Sequence, residues 1–307
     1  MWDNKRFHTL NYELKKKFGE KIYKVSLDGG FTCPNRDGTL AYKGCIFCSD
    51  KGSGEFAGDR RKSIGDQIED QLKLIEKKFP KGKVIAYFQS FTNTYAPIEK
   101  LRKIYSEALS HPRVVGLAIA TRPDCLQNEV LDLLEELGRE YPIWIELGLQ
   151  TVNEKTSQLI NRGYSLEQFT ISAENLRKRK IPFVTHLILG LPGESKTDIL
   201  KSVRFVNKSK SWGIKLHLMH VIKDTALHEY YKKKYFPLME KQIYIELVVE
   251  ILEILDPKMT VHRITGDGTR DTLIGPLWSL DKRSILNGVD KLLKEKNSYQ
   301  GKFYKED

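Results

Sequence analysis

The apolar positions change period repeatedly along the chain, and each change predicts an element. "KIYKVSLD" (21–28) alternates apolar and polar residues as a half-buried strand does. Helical spacing follows over 63–78, then an apolar strand at 83–90, a helix at 97–110 and a buried strand at 114–124. The series continues with a helix at 128–140, a strand at 143–150, a helical pair across 153–180, a strand at 183–194, a helix at 197–210 and a strand at 215–222. Six strands separated by helices predict parallel pairing, because a parallel crossover needs about a dozen residues and a helix supplies them. The predicted fold is α/β, a partial (β/α)6 TIM-type barrel, with a full barrel of irregular ends as the alternative. Residues 1–20 form a basic N-terminal segment and 21–235 the barrel. Residues 236–307 form a helical and irregular extension, expected to close the barrel and to take part in substrate recognition.

Composition changes this picture little. The 307 residues are 40% hydrophobic and 30% charged, an ordinary globule without low-complexity tracts. The N-terminus has no apolar core of signal-peptide length and no later stretch is apolar enough to span a membrane, so a cytoplasmic protein without a membrane partner is expected. In that reducing setting, clustered cysteines read as metal ligands or catalytic groups rather than disulfides. The net charge of +11 is spread over short runs at 15–17, 177–180 and 232–234. Each run alone reads as a solvated helix face, while together they lean toward a polyanionic partner.

In such barrels the loops at the C-terminal ends of the strands carry function. The loop after the first strand, "GGFTCPNRDGTLAYKGCIFCSD" (29–50), holds three of the four cysteines, with eleven residues between Cys33 and Cys45 and two between Cys45 and Cys48. Structural zinc would need a fourth ligand, for which only the distant His8 or Cys125 offer themselves. Three buried, inert cysteines fit a polar, Gly-rich loop poorly. A 4Fe-4S cubane held by three thiolates would leave one iron open to a small molecule. Phe47 gives that site an apolar neighbour, and Gly29, Gly30, Gly38 and Gly44 let the backbone wrap it.

Other polar residues fall at strand ends. Cys125, in "TRPDC", either donates or accepts a hydrogen atom or simply packs; Arg122 and Asp124 either bind substrate or pair with each other. Glu146 lies in an apolar strand, where an unpaired carboxylate is costly, and this favours a functional role. His186, His217 and His220 lie on the last two strands and read as substrate contacts or a second metal site, and Lys223 would meet a phosphate or carboxylate at the barrel mouth. The tail "TGDGTRDTLIGPLW" folds two glycines around Asp267. It is either a capping turn or a recognition element in which Arg263, Arg270 and Trp278 give ionic and stacking contacts to a nucleotide.

Two nearby cysteines bracketing an aromatic residue, a third upstream, and placement after the first barrel strand resemble the radical S-adenosylmethionine (SAM) superfamily. That family's usual spacing is three residues between the first two cysteines; the eleven found here are similar to the expanded loops of its Elp3-like branch. The resemblance covers residues 20–225 and implies a 4Fe-4S cluster on Cys33, Cys45 and Cys48, with SAM on the open iron beside Phe47. "YFQSFTNTY" implies Gln89, Ser90 and Thr92 near the methionyl amine. "IELGLQTVNEKTSQLINRG" implies Gln150 and Arg162 at the ribose and carboxylate, and "HLILGLPGES" implies Leu189 and Gly190 at the adenine. It further implies that an electron from a flavodoxin- or ferredoxin-type donor cleaves SAM to a 5′-deoxyadenosyl radical, with Cys125 and Glu146 as candidate catalytic groups.

Within the superfamily, "FQSFTNTYAP", "LHLMHVIKDT" and the tail most closely resemble the Elp3-like YtqA/YhcC group, which includes enzymes of the MnmL type. That resemblance implies tRNA as substrate and conversion of 5-carboxymethylaminomethyl to 5-aminomethyl on the wobble uridine. The sequence shows no acetyltransferase domain after the barrel and no appended RNA-binding domain, so the RNA surface is expected on the N-terminal segment, the barrel rim and the tail. A radical enzyme on a small molecule, or a non-catalytic metal-stabilised RNA-binding protein, are the alternatives.

Overall fold

The computed structural model describes residues 1–266 and 268–306; Asp267, at the centre of the tail's glycine turn, lies outside them. Six strands form where the apolar runs predicted them: β1 (Tyr23–Leu27), β2 (Val84–Phe88), β3 (Val114–Thr121), β4 (Ile143–Gln150), β5 (Phe183–Leu189) and β6 (Gly213–Leu218). Two short strands, β7 (Val221–Ile222) and β9 (Leu273–Gly275), pair antiparallel, and β8 (Thr260–Arg263) lies between them in the chain. The main sheet is all parallel, in the order β1-β2-β3-β4-β5-β6-β8. Its strands advance in sequence order, which curls the sheet into an open partial barrel.

The helices are α1 (Leu10–Phe18), α2 (Ile64–Ile75), α3 (Ile98–Leu109), α4 (Asn128–Gly138), α5 (Glu154–Leu159), α6 (Leu166–Lys178), α7 (Lys196–Lys208), α8 (Ala226–Lys233), α9 (Lys241–Ile254) and α10 (Lys282–Glu295). Many begin where a short polar residue caps the free backbone N–H groups: Ser63, Asn153, Ser165 and Thr225 each accept from the first turn, and Ser195 with Asp198 makes a capping box. None of the described helices is long and apolar enough to cross a membrane.

Strand alternation sorts side chains onto two faces. Leu27, Phe88, Ile119, Leu147, Leu187 and Leu216 face outward into the main core against the helices. Each such side chain, fully buried, contributes about 1.5–3 kcal/mol. Facing inward near the N-terminal ends of the strands are Ile85, Ala118, Trp144 and Val184, which pack against Leu10 and Leu14 of α1. The basic N-terminal segment is therefore not a free arm. Its apolar stripe plugs the narrow end of the barrel, and Thr9 bridges to Val261.

Three boundaries differ from expectation. The extension contributes β8, a seventh parallel strand beside β6. The strand expected at 215–222 breaks after Leu218, its far half leaving the sheet as β7 to meet β9. The strand expected to reach 194 ends at Leu189, because Gly190 turns the chain with φ +87°, a conformation that favours glycine.

Candidate active site

At the C-terminal ends of the strands the inner face opens into a cavity of about 580 Å³. Cys33, Cys45, Phe47 and Cys48, from the long loop after β1, line one wall. Asparagines hold this loop against the turn after α5: the Asn35 amide donates to the Asn161 carbonyl (2.7 Å), and the Asn161 amide donates to the Gly44 carbonyl (2.7 Å). The Ile46 N–H donates to the Ile160 carbonyl at 3.1 Å. Gly44 has φ +69°, and a Cβ there would sit 2.7 Å from Arg36 Nε, so the close turn requires glycine. Further along the loop, Gln89 Nε2 donates to the Ser53 carbonyl at 2.8 Å.

The thiols are chemically unequal. Cys45 hydrogen-bonds Cys48, and that bond, with Ser53 and Arg36, draws the Cys48 thiol down to about 7, while the same bond and burial push Cys45 up. The thiolate is the form that ligates metal. Among the described residues no three or more His, Cys, Asp or Glu converge on a point that would hold a single ion. Thiols splayed around one cavity wall instead suit a cubane, where each takes a different iron, and this donor set fits the implied cluster.

Gln89, Thr92, Arg122 and Gln150 line the same cavity. Gln150 ends β4 in a left-handed conformation (φ +63°) rare for a residue with a side chain, and accepts from the Tyr164 hydroxyl at 2.9 Å. Arg122 grips Asp124 in bidentate fashion (2.9 and 2.7 Å), so of the two roles open to them the pair is formed, with the guanidinium still on the cavity wall. Arg162 is enclosed behind that wall, donating to the Leu149, Thr151 and Tyr164 carbonyls. It fixes the turn that carries Gln150.

Ser90, Leu189, Gly190 and Cys125 are close in the fold but do not line the cavity. Ser90 is buried with a hydroxyl that has no hydrogen-bond partner. Cys125 is buried beside Asp124, and burial raises its thiol far above the ordinary value, keeping it protonated.

Beneath this wall lies a charged floor built from five strands. Glu146 is 1% exposed, and its carboxylate meets Lys215 Nζ (2.7 Å), Lys24 Nζ (3.5 Å), the Trp144 indole N–H (3.0 Å) and His186 Nε2 (2.7 Å). Burial alone would raise this carboxyl, but Lys215 and Lys24 outweigh it and hold the group ionised, well below its usual range. Lys215 also donates to the Tyr87 hydroxyl at 3.2 Å. His217 and His220 line the cavity above, with Arg263. The tail's Gly266 and Gly268 pack directly on His220, so the glycine turn does cap the cavity.

Three expected contacts lie elsewhere. Lys223 and Arg270 are exposed outside the cavity, and the Trp278 indole N–H donates to the Met239 carbonyl (3.0 Å) while its ring packs on Tyr244. Sequence reasoning missed Lys24, Tyr87, Lys215 and His262. The available signal was their parity: Lys24, Tyr87, Lys215 and His262 occupy the inward positions of their strands, as Glu146 does.

The family model described as the radical SAM superfamily matches residues 33–206, and one described as the radical SAM C-terminal domain matches 211–295. The chain is 47% identical to the uncharacterized protein YtqA of Bacillus subtilis over 98% of its own length and 93% of that protein's. It is 36% identical to the protein YhcC of Escherichia coli, covering 92% and 91%. Its fold is similar to that of the archaeal Methanocaldococcus infernus Elp3 with an N-terminal deletion, with a TM-score of 0.69 at 20% identity, over 91% of this chain and 64% of that one.

Proposed function

The chain belongs to the radical SAM superfamily of enzymes, which bind a 4Fe-4S cluster and SAM, and from that premise we propose that it modifies tRNA, converting 5-carboxymethylaminomethyl to 5-aminomethyl on the wobble uridine. Cys33, Cys45 and Cys48 hold the cluster. Gln89, Ser90, Thr92 and Gln150, with Arg162 setting the turn and Leu189 and Gly190 supplying backbone, hold SAM beside Phe47. Bound there, the two cofactors supply a 5′-deoxyadenosyl radical, the starting electron coming from a flavodoxin- or ferredoxin-type donor.

The methylene between the amine and the carboxylate of the substituent loses a hydrogen atom. The carbon radical then gives up one electron to the oxidised cluster and forms a carbon–nitrogen double bond. Water adds to it, the carbon–nitrogen bond breaks, and the aminomethyl nucleoside leaves together with glyoxylate. The chain's own part is to position the substituent and exclude water until the radical is spent.

The observation that carries this reading is one cavity with three thiols on its wall and a cationic floor, edged by Arg36, Lys282 and the half-exposed ring of Phe56. Basic side chains for phosphates and a ring for a base suit a nucleotide presented by a polyanion, and the net charge of +11 supports it. Action on tRNA also places the enzyme in the cytoplasm. The test is mass spectrometry of tRNA nucleosides from a strain lacking the gene: 5-carboxymethylaminomethyl uridine accumulates and 5-aminomethyl uridine disappears. An unchanged profile would point to a small-molecule substrate.

A further inference from the structure

The cavity floor carries more positive charge than its carboxylate answers. Lys24 and Lys215 both pair with Glu146, and among the described residues no second carboxylate pairs with either. Arg263 lines the cavity close enough to oppose the protonation of both lysines. His217, on the same wall with its ring 5.0 Å from His186, keeps a buried Nε2 without a hydrogen-bond partner. Cations held out of water beside a single anion are costly, as is an orphaned imidazole nitrogen. Both costs fall if the cavity's occupant brings its own anion.

We propose that the floor between His217, Arg263 and the Lys24–Glu146–Lys215 group is a subsite for a carboxylate, carried by the substrate next to the carbon that loses hydrogen. One oxygen accepts from His217 Nε2–H, the other faces Arg263, and the lysines beneath share the added charge with Glu146. Burial depresses Lys24, Lys215 and His217 alike, with Glu146 the opposing attraction, so an arriving anion restores their affinity for protons. A phosphate of a polyanion is the poorer occupant, because backbone phosphates stay at the rim when a base enters. The subsite rests on the reading that chemistry occurs in this cavity, but not on the substrate being tRNA.

The test uses anaerobic holoenzyme with cluster and SAM bound, titrated calorimetrically with N-acetylglycine and with its neutral amide. The acid is expected to bind with proton uptake, read as a dependence of the heat on buffer ionisation enthalpy, and the amide not to bind. Lys215→Met and His217→Gln should each weaken the acid by about tenfold or more, the scale of a charged hydrogen bond. His217→Gln, at the cavity wall, keeps the test valid if Lys215→Met fails to fold. Equal binding of acid and amide, no binding of the acid, or wild-type affinity in His217→Gln would overturn the subsite. If the acid binds as expected but tRNA elicits no 5′-deoxyadenosine, the tRNA reading falls and the subsite stands.

Discussion

His186 sits between the Glu146 carboxylate and the cavity, and burial together with Lys215 pulls its imidazole down to about 4 from an ordinary 6.5, against the attraction of Glu146. The unfolded chain therefore binds the proton more readily between those values, so stability rises with pH across that window and levels above it. Acidification from 6.5 to 4 should destabilise the fold, His186 alone contributing on the order of 3 kcal/mol at the lower end. Glu146, whose carboxyl is depressed, extends the loss to still lower pH as it is protonated. Measured as denaturant midpoint against pH, His186→Gln should flatten this slope without abolishing it, because burial lowers His217 and His262 as well. A variant slope equal to wild type would contradict the assignment. Glu146 itself was legible as an anomaly in "IWIELGLQ", since a carboxylate inside an apolar run needs partners. Those partners were not legible, because Lys24, Lys215 and His262 reach it only when three distant strands close around the same interior.

At the scale of elements, the cysteine loop is ordered by its neighbours more than by itself. Asn161, in a left-handed conformation (φ +53°), donates to the Gly44 carbonyl and accepts from Asn35, so the turn after α5 clamps the loop just ahead of Cys45. Asn161→Ala should leave the fold intact yet lower bound iron and sulfide after reconstitution, read by chemical analysis and the cluster's visible absorption. Full cluster occupancy in the variant would show that the clamp is dispensable. Apolar periodicity placed the six barrel strands and their helices, because buried strands and amphipathic helices announce themselves locally. It missed β8, whose four residues are too short to show a period, and it ran β6 through to 222, since the bend at Met219–His220 is imposed by pairing between β7 and β9. Reading residues 1–20 as a basic arm overlooked that Leu10 and Leu14 share a helix face, and that stripe fills the barrel's narrow end.

For the whole molecule, the arrangement runs along the barrel axis: an apolar plug at the N-terminal end, a buried charge layer above it, the cavity with its cysteine wall, and a basic rim at the mouth. The plug excludes solvent from below and the tail's glycine turn caps the cavity from the side, leaving the mouth for substrate. The basic run at 15–17 lies on α1, at the end away from that mouth, which leaves the rim and the tail as the surface for RNA. The central claim is that this cavity generates a radical from SAM and spends it on a wobble uridine substituent. The direct measurement is anaerobic incubation of reconstituted, reduced enzyme with SAM and tRNA from a strain lacking the gene, following 5′-deoxyadenosine and the modified nucleoside together. Stoichiometric appearance of 5′-deoxyadenosine and 5-aminomethyl uridine is the predicted result; SAM cleavage that leaves the nucleoside unchanged, or no cleavage at all, would contradict it.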